Sequence, residues 1–173
     1  GNFVWGPAQK RIQVDSEITL VNRFGKPDAN ATSSSFFTAA SFLAYGNNLQ
    51  VVRAVGANAK NACANTLSSG IKIDNEDVFQ ASYLNNLTNA NVAGPFVARY
   101  TGALGNTITI SVVDRTSYSN TWNVNGVGLT TLVNGAPSTS EQCASAGGAN
   151  DEIHIVVMDT GGLITGTKNT VLE

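Results

Sequence analysis

The chain has 173 residues, with 10 Lys and Arg against 12 Asp and Glu, a length that holds one well-cored domain or two small lobes and excludes a multidomain machine. Only 13% of its residues are charged, against roughly 25% in an average globular chain, and the net charge of -2 leaves no basic stripe for nucleic-acid phosphates or for an anionic membrane surface. No nucleic acid and no membrane are therefore expected as partners, and no apolar run approaches the roughly 18 residues that span a bilayer.

Asn, Ser, Thr and Gly take the place of charge, as in a turn-rich body with a neutral polar surface. The chain opens at Gly1 on the apolar Phe3-Val4-Trp5 without an initiator Met, and reads as a cut fragment. Phe3 to Ala8 reads as a short strand ended by Gly6-Pro7, and Ile12 and Val14 alternate as a second. Asp15-Ser16 can then cap a helix whose stripe holds Ile18, Leu20, Val21 and Phe24, and Gly25 with Pro27 stops it. A loop over Asp28 to Ser35 leads to the run Phe36 to Tyr45. Only Thr38 and Ser41 interrupt that run, so it predicts a helix that is apolar nearly all round and mostly buried. Leu49 to Val55 is β-branched and reads as a central strand.

This order, β-β-α-α-β, predicts a small layered α/β lobe over residues 1–58. Its three strands and two helices are too few to be comfortable alone, so the lobe is expected to be incomplete. The apolar pattern lapses between Gly56 and Ser69, which places a lobe boundary there. Residues 59–173 then form a mainly β lobe with one short helix, also incomplete at its C-terminus, and the fold class is α+β. The helix is expected in Asp74 to Leu84, because Asp74, Glu76 and Asp77 suit the positive end of its dipole. Strands are expected over Phe96 to Tyr100, Thr107 to Asp114, Ser117 to Val124, Gly128 to Val133 and Glu152 to Thr160. Gly102, Gly105-Asn106, Asn125-Gly126, Asn134-Gly135 and Gly147-Gly148 supply the turns between them.

Chemistry-bearing patterns are sparse. His154 is the single histidine; alternation puts it on one strand face with Glu152 and Val156, opposite Ile153, Ile155 and Val157. No Gly-x-Ser-x-Gly elbow accompanies it, so it reads as a strand histidine rather than a general base. Cys63 and Cys143 have no metal-type spacing and read as two unlinked thiols, although they could pair. Asp74-Asn75-Glu76-Asp77 lacks the alternating ligands and central Gly of a calcium loop. Gly126-Val127-Gly128 lacks the third Gly of a dinucleotide loop and precedes a strand-like run. Asn30-Ala31-Thr32 and Asn86-Leu87-Thr88 fit the glycosylation pattern but follow no secretory signal. The expectation is a protein with no catalytic, cofactor-binding or metal residues, no cofactor and no enzymatic activity.

Four stretches together carry a family resemblance: Gly1 to Ala8 running to Leu20 to Pro27, Phe42 to Val55, Ala98 to Asn106, and Asp151 to Asp159 with Gly166 to Glu173. In them the chain resembles the tail sheath protein of contractile bacteriophages, of the large myovirus type. The family's N-terminal extension and long C-terminal domain are missing from these residues, and a short Asn/Ala-rich link stands where larger members insert a protruding β-domain. The resemblance implies a structural subunit of a contractile phage tail in the virion, assembled in the host cytoplasm. Such subunits polymerise helically around the tail tube, joined by strand-donating terminal arms, and contract to drive the tube through the host envelope. Its implied partners are other sheath subunits, the tail tube protein and the baseplate; the fragment alone, without arms, is expected to be monomeric. Two other readings stay open: a carbohydrate- or receptor-binding β-rich virion domain with Trp122 as its platform, and a hydrolase using His154.

Overall fold

The computed structural model describes residues 1–29, 32–64, 70–84 and 94–173, so the expectations at Asn30-Ala31 and Asn86-Leu87-Thr88 lie outside the described residues. The protein is a mixed α+β molecule with a helical N-terminal part and a mainly β C-terminal part. Its chain divides into two compact units, Gly1–Gly105 and Asn106–Glu173. Within the first unit Asp74 and Asn75 hold the N-terminal segment through polar groups. Ala8 N donates to Asp74 O at 2.7 Å, and Asn75 Nδ2 donates to Ala8 O at 2.9 Å. An edge-on contact of Trp5 with Tyr100, ring centroids 4.9 Å apart, adds an apolar part to the same junction.

In the first unit β1 (Arg11–Val14) pairs antiparallel with β2 (Leu49–Val52), in a register running from Arg11↔Val52 to Val14↔Leu49. Between them lie α1 (Glu17–Phe24) and α2 (Ser33–Leu43). Ser16 is extended and its Oγ accepts from Thr19 N at 3.2 Å, while Gly25, at φ 78°, ends α1 with its N–H on Val21 O. The helix stripe and the inward strand positions meet in one cluster of Phe3, Val14, Leu20, Phe24, Phe36, Ala39 and Val51. Each large side chain there contributes about 1.5–3 kcal/mol by burial.

Phe3 to Ala8 is not a strand. Gly6 turns at φ 104°, where a Cβ would stand 2.5 Å from Arg23 O, and only Ala8 makes a bridge, parallel to Arg53. Further on, Asn75 caps α3 (Glu76–Phe79) by accepting from Val78 N, and the helix widens into a π turn over Gln80–Leu84. It packs its Val78, Phe79 and Tyr83 on buried Ile71 and Ile73. The strand expected over Phe96 to Tyr100 is reduced to a single bridge between Val97 and Cys63.

In the second unit β3 (Ile108–Val113) pairs antiparallel with β6 (His154–Asp159), from Ile108↔Asp159 to Val113↔His154, and β7 (Thr170–Val171) lies on the other side of β6. The expected strand over Ser117 to Val124 shrinks to β4 (Asn123–Val124), which forms a hairpin with β5 (Val127–Gly128). Asn125 and Gly126, at φ 50° and 83°, make its two-residue turn. Gly128 to Val133 holds a 3-10 turn over Thr130–Leu132 instead of a strand, because Leu129 is drawn fully into the core. A short helix, α4 (Glu141–Ser145), starts at Ser140, whose Oγ accepts from Cys143 N. The core consists of Val113, Trp122, Leu129, Val156 and Met158.

Candidate interaction surfaces

Arg53 follows β2 and is only 4% exposed. Its guanidinium donates to the carbonyls of Phe3 (2.9 Å), Gly6 (3.0 Å), Val4 (3.3 Å) and Thr101 (2.9 Å). Burial depresses its basicity, and the charge of Asp74 acts in the opposite direction. A planar fork with five donors suits four carbonyls better than an ammonium would. The outcome is a scaffold joint: four of its acceptors are main-chain carbonyls, and the fifth is the Thr101 hydroxyl at 3.5 Å.

The apolar all-round pattern of α2 does not lead to burial all round. Phe36 and Ala39 face the core, while Phe37 is 59% exposed, Phe42 50% and, just past the helix, Tyr45 96%. A two-stranded ladder with two helices has one face to cover, so the second stripe of α2 is left in solvent. Phe37, Phe42 and Tyr45 are thus large apolar groups open to a partner surface.

A second apolar face lies on the sheet of the C-terminal unit. β6 turns His154, Val156 and Met158 inward, and its other face carries Ile155 beside Val112 of β3 and Val157 beside Ile110. Val112, Ile155 and Leu172 are 40–44% exposed. Among the described residues β6 is the only strand paired with β3, which leaves the outer edge of β3 without a strand partner.

The residues weighed for chemistry are spent on structure. Trp122 is 8% exposed and its indole N–H donates to Ser111 Oγ at 2.9 Å, so it offers no platform for stacking a sugar. His154 Nε2 donates to Gly135 O at 3.0 Å, and its ring stacks on Trp122 and meets the edge of Tyr118. Neither Cys63 nor Cys143 is disulfide-bonded. Among the described residues no three His, Cys, Asp or Glu side chains gather as metal ligands. Asp74 to Asp77 is a helix start, with Lys10 paired to Asp77 at 2.7 Å. A cleft of about 430 Å³ beside α3 is lined by Ile73, Asn75, Phe79 and Val97, with the pair Glu76 and Arg99 3.7 Å apart.

Sequence reasoning missed one polar centre, Asp159. It is fully buried at the end of β6, and its carboxylate accepts from Thr107 Oγ1, Gly162 N (2.9 Å), Ile164 N (2.9 Å), Thr165 N (2.8 Å) and Thr165 Oγ1 (3.0 Å). Burial alone would raise this carboxyl, but the bonds from Thr107, Thr165 and Ile164 outweigh it and hold it well below the usual carboxylate range. The Asp159-Thr160-Gly161-Gly162 turn signal is visible in the sequence; the convergence of donors on it comes only with folding.

Residues 1–54 match the family described as tail sheath protein Gp18 domain III, N-terminal region. The chain is 52% identical over 63 residues to a tail sheath protein of Enterobacteria phage T4, and 51% identical over 63 residues to a tail sheath protein of Vibrio phage KVP40. Each match covers 36% of this chain and 9% of the relative, so the matched stretch spans about a tenth of those proteins. No solved structure matches the chain.

Proposed function

We propose that this chain, whose first 54 residues match a tail sheath domain family, is part of a structural subunit of a contractile phage tail in the virion. The subunit polymerises with other copies around a tail tube on a baseplate, contracts to drive the tube through the host envelope, and performs no catalysis. The carrying observation is the 52% identity over a stretch of 63 residues, supported by a family match that takes in β1, α1, α2, β2 and Arg53. The physics agrees with it. A helical tube needs heterologous contact patches rather than a pocket, and the exposed stripe of α2 and the outer edge of β3 are surfaces of that kind. A sparse charge allows dense packing of copies without self-repulsion, and contraction is then a rigid-body change between two packings of the same subunit.

The test is a graft. Residues 1–54 replace the matching stretch of the phage T4 tail sheath protein, and the chimaera is imaged by negative-stain electron microscopy. Regular tubes are expected; a well-folded chimaera that stays monomeric would overturn the reading. Sedimentation of the 173-residue chain alone adds a second check, with a monomer expected.

A further inference from the structure

Two Asn-Gly pairs occur in the second unit, Asn125-Gly126 and Asn134-Gly135, and the fold treats them differently. In such a pair the glycine amide nitrogen can attack the asparagine side-chain carbonyl carbon. A five-membered succinimide forms and ammonia leaves; water then opens the ring to aspartate or to isoaspartate, whose main chain runs through the side chain. The reaction needs only water, an asparagine amide able to swing round, a glycine N–H not held elsewhere, and no Cβ shielding the nitrogen.

At Asn125 a Cβ on Gly126 would likewise meet nothing within 4 Å, but the amide is not free to swing round. The residue sits at φ 50° in the tight turn between β4 and β5, whose register pairs Val124 with Val127, and its Nδ2 donates to Asn169 Oδ1 at 3.3 Å. Attack would require the turn to open and the amide to be released. At Asn134 both residues are exposed, and neither the Asn134 side chain nor the Gly135 N–H has a hydrogen-bond partner among the described residues. A Cβ built on Gly135 would meet nothing within 4 Å, so the approach is open.

We infer that Asn134-Gly135 is a site of spontaneous deamidation in the folded protein, and that Asn125-Gly126 is protected by its hairpin. The position gives the modification a structural effect. Gly135 O is the acceptor for His154, Val133 packs against the core, and Pro137 is fully buried and offers its carbonyl to Arg115. An isoaspartate at 134 inserts a main-chain atom and a negative charge between these anchors, and so loosens the strap from the His154 side of the core.

The chain is incubated at mildly alkaline pH, where more of the glycine amide is deprotonated, and analysed by tandem mass spectrometry. A gain of about one dalton is expected at residue 134, faster by about tenfold or more than at 125. In denaturant the two sites should react at similar rates. Asn134→Gln, an exposed change that disfavours the five-membered ring, should abolish the gain at 134 and leave 125 as it was. Equal rates at the two sites in the folded chain, or faster reaction at 125, would overturn the inference.

Discussion

The indole of Trp122 and the imidazole of His154 lie nearly parallel, 13° apart, with their ring centroids separated by 6.3 Å. One residue comes from the loop before β4 and the other from the start of β6, so the stack ties the hairpin to the inner sheet face. Trp122→Ala should destabilise the second unit by about 3–5 kcal/mol, the usual cost of emptying a large aromatic site. Trp122→Phe keeps most of the packing and should lose about 1–2 kcal/mol with the bond to Ser111. Denaturant titration followed by circular dichroism checks both values; equal losses for the two variants would show that the ring fill matters little.

Arg53 should tolerate no replacement. Arg53→Met keeps an apolar stem but leaves the carbonyls of Phe3, Gly6 and Thr101 without their donor. An unpaired buried acceptor costs about 1–3 kcal/mol, so a loss of about 3 kcal/mol or more is expected. Arg53→Lys reaches fewer of the carbonyls and should fall between. Hydrogen exchange should show the 1–8 segment opening first.

Asp159 makes stability depend on acid. Its folded pKa lies below the unfolded value of about 3.9, so its contribution is fully present above that value and is lost as the pH falls through it toward the folded one. Asp15, Asp114 and Asp151 are lowered in the same direction by Thr19, Ser117 and Ser140. The urea midpoint should therefore drop below about pH 4. Asp159→Asn should flatten that slope and cost about 2 kcal/mol or more at neutral pH, since an amide nitrogen cannot accept from the loop N–H groups.

Phe37 and Tyr45 should matter to assembly rather than to folding. Replacing both by Ser changes exposed positions and should move stability by less than about 0.5 kcal/mol. In a full-length sheath subunit the same pair should abolish tube formation in electron micrographs; intact tubes would remove this face from the contact set.

The elements that can be read from the chain are those whose burial follows a period. α1 has an extended Ser16, a stripe through Leu20 and Phe24, and a Gly25 stop; β3 and β6 have β-branched runs between turns. The same patterns mislead where polar groups decide. Phe3 to Ala8 has strand-like residues, yet its carbonyls are taken by a guanidinium instead of a neighbouring strand. α2 looks like a buried helix because composition cannot tell a core stripe from a contact stripe. β7 is two residues long and α4 five, too short for any period to register. Of the candidate surfaces, the apolar runs were visible, while their exposure was not. The Asp159 centre depends on hydroxyls and amides brought from up to 52 residues away.

The joint at Arg53 has an evolutionary corollary. Apart from the Thr101 hydroxyl, its grip is on peptide oxygens, which every amino acid possesses, so the letters at positions 3 and 4 are free to drift as far as that grip is concerned while the anchor persists. Position 53 has no such latitude: a lineage could rewrite much of the opening segment and still keep its seat, yet could not exchange the one cation that holds it there.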